Sequence, residues 1–208
     1  MKTNHPILML QRRIPAIGIG LILLFWIPVF VSAQALDGKP YTPGVDSDID
    51  LYINTWTNSM PRHSHGSLVE RDILTKGDHL NPPFKGAVLQ HVNKVAYTTI
   101  DPGASTTPTT LKGEQEIFYV DDGEGSITWG SKNSRLYKGI TVLIPEGLEF
   151  TMKNTGEEPL KMYLISEPTF PGFRPNKEIL VRDENIIPIS GTNGHWCHIV
   201  KQIFMQGK

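Results

Sequence analysis

From residue 85 onward the chain alternates short apolar or β-branched runs with polar, glycine-bearing breaks. Runs at 85–97, 116–120, 125–129, 141–144, 148–153 and 160–166 are each of strand length, bounded by glycine or charged turns. This cadence predicts an all-β domain of the barrel or sandwich kind. Asn154, Thr155, Gly156 and Glu157 predict a hairpin turn between the last two runs. Residues 34–84 show no sustained period and read as an irregular N-terminal extension, with turn signals at Gly77-Asp78 and Asn81-Pro82-Pro83. Residues 168–208 read as a C-terminal arm, extended by Pro168, Pro171 and Pro175.

The first 33 residues carry a different signal. Lys2, Arg12 and Arg13 precede an uncharged, mostly apolar run at 14–31, and Val31-Ser32-Ala33 forms a small-residue cleavage pattern. The segment reads as an export signal, which places the rest of the chain in a periplasmic or secreted compartment. The 18-residue run also reaches the lower limit of a membrane span, so a retained N-terminal anchor at 14–31 stays open. Beyond residue 33 the chain carries 17 Lys and Arg against 21 Asp and Glu, a net charge of −4 with histidines neutral. No basic stripe emerges, which argues against nucleic acid as a partner. Cys197 is the single cysteine, so no internal disulfide can form in an exported chain.

Two blocks carry the chemistry. Gly103, Glu116 and Gly123 keep the spacing of the pattern G-x5-H-x-H-x4-E-x6-G, with Thr109 and Leu111 at the two histidine positions. Gly139, Pro145, Gly147 and Asn154 keep the spacing of G-x5-P-x-G-x2-H-x3-N, with Phe150 at its histidine. Six glycine, proline and asparagine marks in register over about fifty residues resemble the cupin family. The resemblance implies a single jelly-roll β-barrel with its site inside, a divalent transition metal held by three histidines and a glutamate, and, as in many cupins, a homodimer.

Strand alternation explains that ligand spacing, because His-x-His puts both imidazoles on one face. In this sequence only Glu116 can ligate. Leucine and phenylalanine offer no lone pair, and a threonine hydroxyl is a poor donor to a divalent ion. No metal is therefore expected at the motif positions. Glu116, Thr109, Leu111, Phe150 and Phe118 become candidate pocket residues, joined by His91 from the run before the first block.

Other histidines offer alternative ligands. His63, His65, Glu70 and Gly77 repeat the spacing H-x-H-x4-E-x6-G without its leading glycine, and His195, Cys197 and His198 cluster near the C terminus. Three functions follow. The first is an exported small-molecule-binding or structural module, with a saccharide or carboxylate as ligand. The second is a metal enzyme of the isomerase, dioxygenase or lyase type, using histidines outside the motif. The third is a metal-free, epimerase-like enzyme pairing a histidine base with one of Tyr97, Tyr119, Tyr137 or Tyr163 as acid.

Overall fold

The structure, a computed structural model, describes residues 48–188 and Ile203. The export or anchor segment at 1–33, its run at 14–31, and His195, Cys197 and His198 lie outside the described residues. Two short 3-10 turns, Ile49–Leu51 and Trp56–Asn58, lead into strands β1 (Arg62–Ser64), β2 (Leu68–Lys76), β3 (Ala87–Leu89), β4 (Lys94–Ile100), β5 (Thr109–Thr110) and β6 (Glu114–Asp122). Strands β7 (Gly125–Trp129), β8 (Lys132–Leu136), β9 (Ile140–Ile144), β10 (Glu149–Asn154), β11 (Leu160–Pro168) and β12 (Leu180–Asp183) follow.

The strands form two facing sheets. The larger has the order β1-β2-β4-β11-β6-β9-β12, with β3 on β2, and the smaller has the order β5-β10-β7-β8. Alternation along each strand sends one set of side chains into the space between them. Phe118 and Val120 of β6, Met162 and Leu164 of β11, Val142 and Ile144 of β9, and Phe150 and Met152 of β10 are buried in one cluster. The predicted all-β jelly roll is thus the observed architecture.

The motif glycines mark the corners. Gly103, Gly123, Gly139 and Gly147 all have positive φ, between 73° and 91°. At Gly123 a Cβ would stand 2.7 Å from the carbonyl oxygen of Pro159, so both backbone conformation and space exclude a side chain. Asn154 closes a different corner. Its amide donates to the carbonyls of Ile100 and Glu158, each at 2.8 Å, and its Oδ1 accepts the Gly156 N–H at 2.9 Å.

Three sequence expectations change here. The turn at 154–157 does not close a hairpin: β10 pairs with β7 and β11 pairs with β4 and β6, so this turn carries the chain from one sheet to the other. The segment 34–84, read as irregular, supplies β1 and β2 to the larger sheet, and β2 runs beside β4. The face that carries Leu68 also carries Glu70 and Asp72, so the apolar alternation that announces a strand is hidden by charges paired with Arg62 and Lys94. The C-terminal arm contributes β12 to the sheet edge, on β9.

Candidate functional site

Glu116 lies on the inward face of β6, two residues before Phe118, and only 1% of its surface is exposed. Phe118 and Phe150 are fully buried, and Leu111 belongs to the same cluster. Four of the expected pocket residues therefore converge in the barrel interior. Thr109 stands opposite Phe150 in the β5–β10 pairing, half-buried, and its hydroxyl donates to the Thr107 carbonyl at 2.9 Å.

The interior also receives an imidazole from outside the motif. β1 and β2 form a hairpin whose tip holds His65 and Gly66, both at positive φ, 48° and 84°. A Cβ at Gly66 would press on Thr107, the residue whose N–H donates to the His65 carbonyl at 2.9 Å. This tip aims the His65 ring inward, edge-on to Phe150 at 5.7 Å and to Phe118 at 6.4 Å between ring centres. Its Nε2 stands 3.1 Å from Oε2 of Glu116. The two atoms are within ion-pair distance but misaligned, and neither completes a hydrogen bond.

A second buried carboxylate lies on β2. Glu70 has no exposed surface and is bound by Arg62 and by Lys94, whose Nζ is 2.8 Å from its Oε1. Burial opposes its charge, but the hydrogen bond and charge of Lys94, with Ser64 and Arg62 beside it, outweigh that and hold its pKa below the ordinary carboxylate value. Arg62 also forks onto Asp72. The spacing shared by His63, His65 and Glu70 therefore does not form one site. β1 ends at Ser64, His63 is exposed, His65 turns toward Glu116, and Glu70 is held by cations. Sequence reading missed Arg62 and Lys94 because two cations converging on one buried carboxylate have no local signature.

His91 is not a pocket residue. The run 85–97 is broken into β3 and β4 by a bend, where the Asn93 N–H donates to the Ser166 carbonyl and His91 is left exposed. The tyrosines also lie away from the interior. Tyr97, Tyr163 and Tyr119 form a cross-strand row on the outer face of the larger sheet. Tyr97 donates to Asp121 and Tyr119 to Glu184, while Tyr137, after β8, donates to Asp183. Burial and these carboxylates push the hydroxyls of Tyr97 and Tyr119 up to about 12. Trp56 stacks on Tyr97 at 5.0 Å and, with Arg71, Asp101 and Lys161, borders a surface cavity of about 310 Å³.

Among the described residues, the donor set does not fit the metal that the fold family implies. At the motif positions one carboxylate survives among a hydroxyl, an alkyl and a phenyl group, and His65 adds a single nitrogen. Two donors are fewer than the three protein ligands of an open divalent site. Among the described residues no group of three His, Cys, Asp or Glu side chains converges.

Residues 96–166 match the cupin domain family. No curated protein matches the sequence. Among solved structures, a putative glyoxylate-induced protein from Pseudomonas aeruginosa is 16% identical with a TM-score of 0.50, over 74% of this chain and 60% of that one. A predicted oxalate decarboxylase from Thermotoga maritima is 20% identical with a TM-score of 0.47, over 56% of this chain and 99% of that one. A bacterial pirin from Escherichia coli, in complex with nickel(II), is 16% identical with a TM-score of 0.49, over 64% of this chain and 57% of that one. The cupin domain match over residues 96–166 thus falls on the stretch whose corners are the motif glycines Gly103, Gly123, Gly139 and Gly147.

Proposed function

We propose that this chain is an exported cupin-domain protein that acts without the family's metal, as a small-molecule-binding or structural module. One observation carries the reading: Leu111 and Phe150 put hydrocarbon at two of the motif's donor positions, and the surviving Glu116 faces the ring of His65. Export rests on the signal pattern at 1–33. Of the two ligand classes the sequence suggested, the interior disfavours a carboxylate, which would confront Glu116 at close range in an apolar surround.

A second reading draws on the same pair. A histidine beside a buried carboxylate is an arrangement used for proton transfer, with the carboxylate orienting the base. The outward-facing tyrosines supply no acid to it.

The test is elemental mass spectrometry on the purified chain, free of a histidine tag, after refilling with Zn, Mn, Fe, Ni and Cu in turn. Substoichiometric metal throughout supports the reading. One metal per chain overturns it and revives a metal enzyme whose ligands lie beyond the motif positions.

A further inference from the structure

We infer that the tip of the β1–β2 hairpin is a built-in occupant of the interior site, and that the ligand able to replace it is a small planar N–H donor of the imidazole or amidine class. The inference rests on the metal-independent reading and names the chemistry of that same site.

His65 is bound as a ligand would be. Its ring is nine-tenths buried, lies edge-on to two fully buried phenyl rings, and brings one nitrogen to 3.1 Å from the carboxylate that survives from the motif. The surround thus selects a flat ring rimmed by Phe118 and Phe150, with an N–H facing Glu116. A positive edge toward a carboxylate and a flat body in edge contact with aromatic rings are properties of imidazole and amidine groups. They are not properties of a carboxylate.

The occupant is also held imperfectly. His65 is the one non-glycine residue among those described with a positive φ, a conformation disfavoured for a side chain with a Cβ. Its Nε2 and the facing Oε2 of Glu116 are both buried without a completed hydrogen bond. Besides the β1–β2 ladder, the tip is tied to the facing segment by two hydrogen bonds, Thr107 N–H to the His65 carbonyl at 2.9 Å and the Ser67 hydroxyl to the Ser105 carbonyl at 2.6 Å. A free molecule of the same shape carries no backbone strain and can rotate to align its N–H with Glu116. Its entry would relieve both defects and release the hairpin tip.

Three full-length proteins decide this: wild type, His65→Ala, and His65→Ala combined with Glu116→Gln. Each is titrated with free imidazole in the presence of EDTA, with acetate as the control anion. His65→Ala should show a saturable rise in Tm of roughly 3–5 °C at imidazole concentrations ten times its Kd. Acetate should give none, and adding Glu116→Gln should weaken imidazole binding by at least tenfold. In wild type, imidazole should speed hydrogen exchange of the Thr107 amide, which reports the hairpin tip directly. If His65→Ala does not fold, the Thr107 exchange in wild type decides alone. No Tm response together with unchanged Thr107 exchange overturns the inference, as does imidazole binding indifferent to Glu116→Gln. A metal-free chain that ignores imidazole sinks this inference only, whereas a chain carrying stoichiometric metal sinks the reading beneath it.

Discussion

Lys94 Nζ lies 2.8 Å from Oε1 of Glu70, a carboxylate with no exposed surface. Glu70 sits on β2 and Lys94 on β4, and Arg62 of β1 closes on the same carboxylate. Three strands are therefore locked to one another from inside the sheet by charge.

Acid stability should follow from this lock. The pKa of Glu70 lies below its ordinary 4.5 in the folded chain, so its contribution to stability is fully present above 4.5. It is lost as pH falls through the lowered value. A series of urea unfolding curves from pH 6 downward should show midpoints falling below pH 4.5 in wild type. The fall should be shallower in Glu70→Gln. Lys94→Met should lose about 3 kcal/mol at pH 7, because a buried carboxylate loses one of its two cations.

The alkaline limb should be equally specific. Tyr97 and Tyr119 are raised from 10 to about 12, so folding keeps their protons longer than the unfolded chain does. Their contribution is intact below pH 10 and disappears as pH rises toward 12. Absorbance titration of tyrosinate near 295 nm should show part of the tyrosine signal delayed to about pH 12. Tyr97→Phe and Tyr119→Phe should each remove one tyrosine's share of it. A single transition near 10 for every tyrosine would refute the assignment.

Asn154→Ala should be costly out of proportion to its size. Two carbonyls, those of Ile100 and Glu158, lose their amide donor, and the Gly156 N–H loses its acceptor. A loss of roughly 2–4 kcal/mol is expected, from buried polar groups left without partners. Denaturant unfolding monitored by tryptophan fluorescence measures it, and Asn154→Asp should not recover the loss, because a buried carboxylate oxygen would then face the carbonyls of Ile100 and Glu158.

Glu116→Gln should be nearly silent for stability, within about 1 kcal/mol, because it removes a buried charge whose facing atom makes no aligned hydrogen bond. Paired denaturation curves for wild type and variant test this. A loss comparable to that of Lys94→Met would mean that the contact with His65 is a strong ion pair.

How far the sequence announced this molecule depends on whether a feature is local. Gly123, Gly139 and Gly147 occupy corners that require positive φ, so their spacing alone carries the barrel, and Glu116 between them could be assigned inward. Phe150 and Leu111 followed by register. His65 could not, because its inward aim depends on a turn conformation that a histidine rarely adopts and on contact with a residue 51 positions later. β2 was hidden for another reason: Glu70 and Asp72 occupy positions on the face of Leu68 where apolar residues would have signalled a strand, and only the distant Lys94 and nearby Arg62 make them tolerable there. His91 was misplaced because a four-residue bend, invisible to hydrophobic pattern, separates β3 from β4.

The position of β11 has a consequence for how the chain folds. This strand lies between β4 and β6, so the larger sheet stays in two pieces until synthesis or refolding has reached residue 168. Pairings such as Leu160 with Ile100 and Pro168 with Glu114 must then close over more than fifty residues at once. Topologies of this kind fold in milliseconds to seconds rather than microseconds. Until β11 docks, β4 and β6 each expose an unpaired edge, and this interval, more than any weakness of the finished barrel, is when the chain is most open to pairing with a copy of itself.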